Sequence, residues 1–331
     1  MGSDFLKGKN ILVTGGTGSI GGSLVRDILD QNPASVRVLS RDEYKQYKLA
    51  QSLGHNPRIR FLLGDIRDKE RLTMAMESAD YVFNAAALKQ VPSCEDNPFE
   101  AVKTNVIGTQ NVIEVAMKMN VEKVVLISTD KVVNPVNTMG TTKLLAEKLM
   151  RTAHRYKGSR RTVFSCVRFG NVLGTRGSVL PLFFEQLKQG NPLTLTHPDM
   201  TRFLMTMQRA VSLVLKGAEL ASRGEIFIMK MPSVRMGDLV SVINTEFARA
   251  RGLLSVPIDV VGVREGEKMH EELLFENERS MCHEMEDMLV VGFQQRPKQV
   301  PENVYKSDCV PLMNRAQILE MLLNDELGKS L

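Results

Sequence analysis

Tryptophan is absent, aromatic residues occupy only 5% of the 331 positions, and no stretch reaches the roughly 18 consecutive apolar residues of a membrane span. The four cysteines, Cys94, Cys166, Cys282 and Cys309, lie too far apart for a CxxC pair or a short secreted framework. They are expected to be reduced, unpaired thiols. The basic excess is small, 43 Lys and Arg against 38 Asp and Glu for a net charge of +5, and it is scattered rather than gathered into a tract. Without a basic stripe or an aromatic stacking platform, nucleic acid is not expected as a partner, and a small anionic molecule fits better. The first ten residues, MGSDFLKGKN, lack the apolar core of a signal peptide, so a cytoplasmic protein is expected. Cys282-His283 is a lone pair without further ligands; it is expected to face solvent, and no metal site is expected.

What is present is the composition of an ordinary globular chain, 43% hydrophobic and 24% charged, long enough for one large domain with a smaller lobe. Short apolar runs at residues 10–14, 36–39, 59–63, 81–85, 123–128 and 163–168 read as buried strands. Between them, Ile20, Leu24, Ile28 and Leu29 mark one apolar helical stripe, and Val102, Val106, Val112, Val115 and Ala116 mark a longer one. Alternating strands and helices with nearly continuous apolar strands predict an α/β fold, a doubly wound parallel sheet with ligands at the carboxyl ends of its strands.

After Gly170 the pattern changes, interrupted by Pro181, Pro192, Pro198 and Pro232, with strand candidates at 225–230 and 258–263 and a helix at 237–251. The tail from about Phe275 reads as polar, with Arg296-Pro297 and Val300-Pro301 breaking any helix until one resumes at 314–323. Residues 1–170 are therefore expected to form a dinucleotide-binding domain. Residues 171–331 are expected to form a smaller substrate lobe and tail, some segments of which return to the first sheet.

The first strand runs straight into Thr14-Gly15-Gly16-Thr17-Gly18-Ser19-Ile20-Gly21, and a helix follows at once. Glycine suits a tight turn, close backbone approach to a diphosphate and helix packed on strand, and the helix N-terminus offers free N–H groups to the anion. Gly15, Thr17, Gly18, Ser19, Ile20 and Gly21 are accordingly cofactor candidates. At the end of the second strand, Ser40 and Arg41 can hold a 2′-phosphate through hydroxyl and guanidinium donors, which favours NADP; Asp42 is a carboxylate that could still reach an NAD ribose.

Asp65 and Ile66 follow the third strand and Ala85, Ala86 and Ala87 the fourth, small residues that let backbone lie against a flat ring and sugar. Here the chain resembles the extended short-chain dehydrogenase/reductase superfamily with its Rossmann fold. The resemblance covers almost the whole sequence. It narrows with Ala87-Leu88-Lys89-Gln90-Val91-Pro92, Thr104-Asn105, Ser128-Thr129-Asp130-Lys131, Arg168-Phe169-Gly170-Asn171-Val172, Gly177-Ser178-Val179 and Arg264-Glu265-Gly266-Glu267-Lys268. Together these resemble the UDP-N-acetylglucosamine 4,6-dehydratases of polysaccharide biosynthesis.

The resemblance implies that C4 of a nucleotide sugar is oxidised, that Lys131 removes the now acidic C5 proton, that Asp130 protonates the departing C6 hydroxyl, and that the hydride returns to C6. Thr129 is implied to orient the sugar and Lys143 to bond the nicotinamide ribose. A neutral amine and a protonated carboxyl are both unusual near neutral pH, so desolvation and charge coupling are expected to shift both groups. The family pattern has tyrosine four residues before Lys143, but this chain has Met139, which can pack against a ring and cannot carry a proton. The C4 proton is then expected to leave through Thr129, Asp130 or Lys131.

The analogy places Asn171, Ser178, Arg202, Arg264 and Glu267 around the nucleotide, with Lys89 near the sugar; each charged group has the alternative of an ordinary ion pair. His197 and His270 read as structural. UDP-N-acetylglucosamine or a related nucleotide sugar is the implied substrate, NADP the implied cofactor with NAD possible, and a homo-oligomer, dimer or hexamer, the implied assembly. A UDP-sugar 4-epimerase and a noncatalytic NADP-binding sensor are the alternatives.

Overall fold

The computed structural model of the chain describes residues 4–293, 300 and 305–325. Arg296, Pro297 and Pro301, read above as helix breakers, lie outside the described residues. The strands are β1 (Asn10–Thr14), β2 (Ser35–Ser40), β3 (Ile59–Leu63), β4 (Tyr81–Asn84), β5 (Lys123–Ile127), β6 (Val163–Arg168), β7 (Asn171–Val172), β8 (Leu193–Leu195), β9 (Thr201–Met205), β10 (Ile226–Met229), β11 (Ser233–Arg235), β12 (Ile258–Val260), β13 (Cys282–Glu284) and β14 (Met288–Val291). Among the described residues nine of them form one sheet in the order β13-β14-β10-β6-β5-β4-β1-β2-β3. All neighbours from β3 to β10 are parallel, and β14 and β13 add an antiparallel edge.

Ile11, Leu12 and Val13 are all fully buried although they alternate faces, because helices cover both sides of the sheet. The Ser19–Asp30 helix presents Leu24, Val25, Ile28 and Leu29 to that core. The strand order reverses between β1 and β4, the point at which sheets of this kind leave a crevice at the strands' carboxyl ends.

A second apolar cluster holds the smaller lobe, where Phe184 stacks on Phe247 with ring centroids 4.8 Å apart. The chain crosses between the two cores: β10, the Met207–Leu220 helix and the β13–β14 hairpin all pack back on the large sheet. The segment after Phe275, read as a polar tail, therefore contains two strands, and Cys282, expected at the surface, is fully buried on β13. Short runs such as Met288–Val291 are apolar but too brief for periodicity to separate strand from loop.

Several boundaries shift. The helix expected at 237–251 begins at Met236 and passes through a wider π-helical turn at Ile243–Phe247. Pro98–Lys118 is likewise interrupted by π-helical turns at Val102–Ile107. The extra residue per turn rotates the apolar stripe, so Val106, Val112, Val115 and Ala116 are buried while Val102 is exposed. None of the four cysteines is in a disulfide among the described residues; three are buried and Cys309 is exposed.

Candidate functional site

The turn after β1 needs its glycines for contact as well as conformation. A β-carbon on Gly15, whose φ is +64°, would sit 2.7 Å from the Ala86 backbone, and one on Gly21 would sit 2.4 Å from the Gly15 carbonyl oxygen. Gly18 caps the Ser19–Asp30 helix without any side-chain bond, which leaves the helix N-terminus open. The arrangement fits a diphosphate. Arg176, which the sequence reading did not select, closes over it: its backbone N–H donates to Ser19 Oγ at 3.0 Å and its guanidinium donates to the Thr17 carbonyl.

At the end of β2, Ser40 is buried and its hydroxyl oxygen accepts from Gln46 Nε2 at 3.1 Å. Arg41 is exposed and lies 3.5 Å from Asp65, whose carboxylate also accepts from Arg67. Burial pushes Asp65 up, but the bonds from Arg67 prevail and hold it below its ordinary range. Asp42, the alternative ribose reader, caps the Glu43–Ser52 helix by accepting from Lys45 N at 2.9 Å, so its carboxylate already has a structural task. Ile66 is buried, and Ala85, Ala86 and Ala87, half-buried, follow β4. Beside Ala87, a cavity of about 350 Å³ gathers Lys45, Lys89, Gln90, Cys94 and Arg176. Burial, with Arg176 and Lys131 nearby, holds the Lys89 ammonium below its ordinary value.

Beyond β5 the backbone turns through Thr129 into a short helical turn at Asp130–Val132. Asp130 is fully buried, and its N–H donates to the Phe169 carbonyl at 3.0 Å. Gly170 leaves room for it: a β-carbon there would meet Asp130 Oδ2 at 3.1 Å and Phe203 Cβ at 2.6 Å. Thr129 Oγ1 and Lys131 Nζ both donate to Asp130 Oδ1 at 2.9 Å, while Oδ2 finds no partner among the described residues. Lys131 also reaches Asn171 Oδ1 at 3.4 Å and Glu271 Oε1 at 3.5 Å. Burial pulls the Lys131 pKa down, but Asp130 and Glu271 outweigh it and hold the ammonium above its ordinary value. Of the desolvation and charge coupling expected to shift this group, the coupling prevails, because two carboxylates face one ammonium.

Lys143 is buried and donates to the Ile127 carbonyl at 2.5 Å, and burial lowers its pKa to about 8 despite the nearby Glu147 carboxylate. Its helix spans Thr138–Tyr156, opening at Asn137, whose Oδ1 accepts from Gly140 N; it was expected to open only after Gly140. Met139 is 4% exposed and packs with Cys94 and Ala101. Arg168 ties this helix to the later chain: fully buried, it donates to Glu147 at 2.6 Å, Glu278 at 2.8 Å and the Leu273 carbonyl at 2.9 Å.

The expected nucleotide-binding residues are brought together unevenly. Arg202 spends its guanidinium on the carbonyls of Thr201, Lys268 and Met269. Ser178 Oγ and Glu267 Oε2 are buried without a partner among the described residues, whereas Arg264 is exposed. His270 Nδ1 shares a bond with Thr201 Oγ1 at 2.8 Å, and His197 Nδ1 accepts from Asp199 N at 3.1 Å; both therefore have local partners. Besides Arg176, the sequence reading missed Glu271. Its only signal was an acidic residue three positions beyond the Arg264–Lys268 motif.

A family model described as a polysaccharide biosynthesis protein matches residues 11–292. A protein named as an uncharacterized membrane protein of Methanocaldococcus jannaschii is 54% identical over 97% of each chain. Among the described residues here, no helix is long and apolar enough to cross a membrane. A UDP-glucose 4-epimerase of Rickettsia canadensis is 41% identical, over 84% of this chain and 81% of that one. A UDP-N-acetylglucosamine 4,6-dehydratase (inverting) of Campylobacter jejuni is 40% identical, over 86% and 83%. The X-ray structure of Pen from Bacillus thuringiensis matches with a TM-score of 0.92 and 42% identity, over 97% of this chain and 99% of that one.

Proposed function

The chain belongs to the polysaccharide biosynthesis protein family of extended short-chain dehydrogenases/reductases, and from that premise we propose that it is a nucleotide-sugar 4,6-dehydratase acting on UDP-N-acetylglucosamine with NADP. The observation that carries the reading is the buried Asp130 carboxylate 2.9 Å from the Lys131 ammonium, at the carboxyl end of β5. Elimination of water needs a base at C5 and an acid at C6. A single proton shift across that contact turns the ion pair into an amine and a carboxylic acid, creating both at once. Lys131 then takes the C5 proton, Asp130 gives its proton to the leaving C6 oxygen, and the pair ends as the ion pair again.

Gly15, Gly18, Ser19 and Arg176 would hold the cofactor's diphosphate, Ser40 and Arg41 the 2′-phosphate, Asp65 and Ile66 the adenine and Lys143 the nicotinamide ribose. When bound, the nicotinamide supplies hydride storage between C4 and C6. Thr129, whose hydroxyl already donates to Asp130, offers the C4 hydroxyl a proton path that Met139 cannot. That proton passes on to solvent before elimination, so the pair keeps its single proton. One proton returns to C5 as hydride returns to C6, so one water is lost overall. Asn171, Ser178, Arg264 and Glu267 remain the proposed nucleotide contacts, with Lys89 at the sugar and Arg202 shaping their floor through its carbonyl bonds.

The related epimerase keeps a second reading in view: a 4-epimerase would release an isomer of unchanged mass. Incubation with UDP-N-acetylglucosamine and NADP, followed by mass spectrometry, is expected to show loss of one water, abolished by Asp130→Asn and by Lys131→Met. A product of unchanged mass overturns the dehydratase.

A further inference from the structure

Two kinds of buried ionic cluster stand a few residues apart in this chain. Around Arg168 every carboxylate oxygen is bonded: Glu147 Oε1 and Oε2 and Glu278 Oε1 and Oε2 all accept from the guanidinium. That is how a structural network avoids the cost of burying charge. Around Lys131 the pattern is different. Asp130 is fully buried and Glu271 only 3% exposed, yet Asp130 Oδ2 and Glu271 Oε2 have no partner among the described residues. Buried carboxylate oxygens left unbonded are costly, and such groups concentrate where chemistry uses them.

The backbone of Glu271 is held independently of its carboxylate. Its N–H donates to Ser307 Oγ at 2.8 Å, the Ser307 N–H donates to its carbonyl at 2.9 Å, and Ser307 Oγ bonds Thr201 Oγ1 at 2.6 Å. The side chain thus projects from a fixed support to within 3.5 Å of Lys131 Nζ. The charged groups that face it are Lys131 and Asp130 from the turn after β5, Arg202 from β9 and Lys268 from its own segment. Next to it, His270 is bonded to Thr201 and Glu272 accepts from Asn134.

We propose that Glu271 is the positioning residue of the acid–base pair: its carboxylate holds Lys131 between two carboxylates and sets the pH range in which the pair carries the single proton that elimination requires. This rests on the reading of Asp130 and Lys131 as acid and base. The pair works when one proton is shared between them and fails when it gains a second or loses the first, so its rate follows a bell against pH. Burial pushes the Glu271 carboxyl above its ordinary range against the pull of Lys131, and once ionised its negative charge makes the pair hold both protons more tightly and places the bell at higher pH. Removing that charge moves both limbs toward acid.

The test uses the full chain with Glu271→Gln, reading the dehydration rate against pH and, without substrate, the titration of Lys131 by carbon-13 NMR of its dimethylated amine, assigned by its absence in Lys131→Arg. Both the bell and the Lys131 titration are expected to move about 1–3 pH units lower, the range for loss of a close opposite charge. Glu271→Asp, which keeps the charge but draws it back, is expected to move them less; should the glutamine variant not fold, the aspartate variant alone must still show an acid shift. A bell that loses height but keeps its position, with an unmoved Lys131 titration, overturns the proposal. If the wild-type protein dehydrates no sugar, the proposed function fails, while the titration still decides the role of Glu271.

Discussion

Gly140 lies so close to the turn after β5 that a β-carbon on it would stand 2.2 Å from the Lys131 carbonyl oxygen. The first turn of the Thr138–Tyr156 helix is therefore pressed against the backbone that carries Asp130 and Lys131. The contact is with backbone, which cannot swing aside as a flexible side chain would. Gly140→Ala is expected to cost about 1–3 kcal/mol of stability by overpacking. By displacing the pair about an ångström it is expected to slow turnover on the order of a hundredfold. Thermal unfolding and single-turnover rates check both, and an alanine variant with native turnover would show that the pair tolerates the shift.

Met139 occupies the position of the missing tyrosine but is packed against Cys94 and Ala101. If it only fills space, Met139→Leu conserves volume and should cost less than about 1.5 kcal/mol with near-native turnover. Asp130→Asn should lower hydride transfer by about 10²–10⁴ as a lost acid–base group. Met139→Tyr is the informative partner: a variant that alone switches on C4 oxidation would mean that Thr129 and Asp130 offer no working substitute.

Arg41 is exposed and meets Asp65 at 3.5 Å, while Asp42 is engaged in capping the next helix. The carboxylate next to Arg41 is thus occupied by the helix it caps. Arg41→Ala is expected to weaken NADP binding by roughly tenfold or more, the value of one charge-assisted bond, and to leave NAD binding nearly unchanged. Calorimetric titration of the two cofactors decides it; equal losses for both would remove Arg41 from 2′-phosphate recognition.

The parts of this site that were readable in sequence are those where one local rule acts. Gly15, Gly18 and Gly21 announce a tight turn between strand and helix, and Asp130 and Lys131 stand beside each other in the chain. The apolar runs of β1 to β6 follow from a sheet covered on both faces. What escaped depends on distant segments meeting. Glu271 reaches Lys131 across 140 positions, Arg176 reaches Thr17 across 159, and β14 joins the large sheet from beyond the smaller lobe. The direction of the Lys131 shift depends on the same kind of meeting: burial pulls it down, and the carboxylates of neighbouring Asp130 and distant Glu271 together outweigh that pull.

Lys143 supplies a pH dependence of stability with a definite sign. Its pKa falls from 10.5 to about 8 on folding, so between those values the unfolded chain binds more protons and the folded state gains as pH rises. The charged lysine's burial cost is fully felt below pH 8 and is gone above 10.5. At 1.36 kcal/mol per unit it amounts to about 3 kcal/mol. In the absence of cofactor, Lys143→Met is therefore expected to be at its most stable relative to wild type below pH 8 and to lose that advantage across the interval. Denaturant unfolding at several pH values checks this; a difference that does not change with pH would place the Lys143 pKa at its ordinary value.

Arg168 is the residue whose loss should unfold most. It is fully buried between Glu147 on the helix carrying Lys143 and Glu278 in the segment just beyond Leu273. Arg168→Met removes one cation and leaves two buried carboxylates facing each other. Breaking a buried pair in this way costs about 3–5 kcal/mol, more than the pair itself contributes, because the abandoned charges cannot reach water. If that cost lies in the stranded carboxylates rather than in lost packing, adding Glu147→Gln and Glu278→Gln to Arg168→Met should recover much of it. Denaturant midpoints of the single and triple variants separate the two causes: full recovery assigns the loss to charge, and none assigns it to the cavity left by the guanidinium.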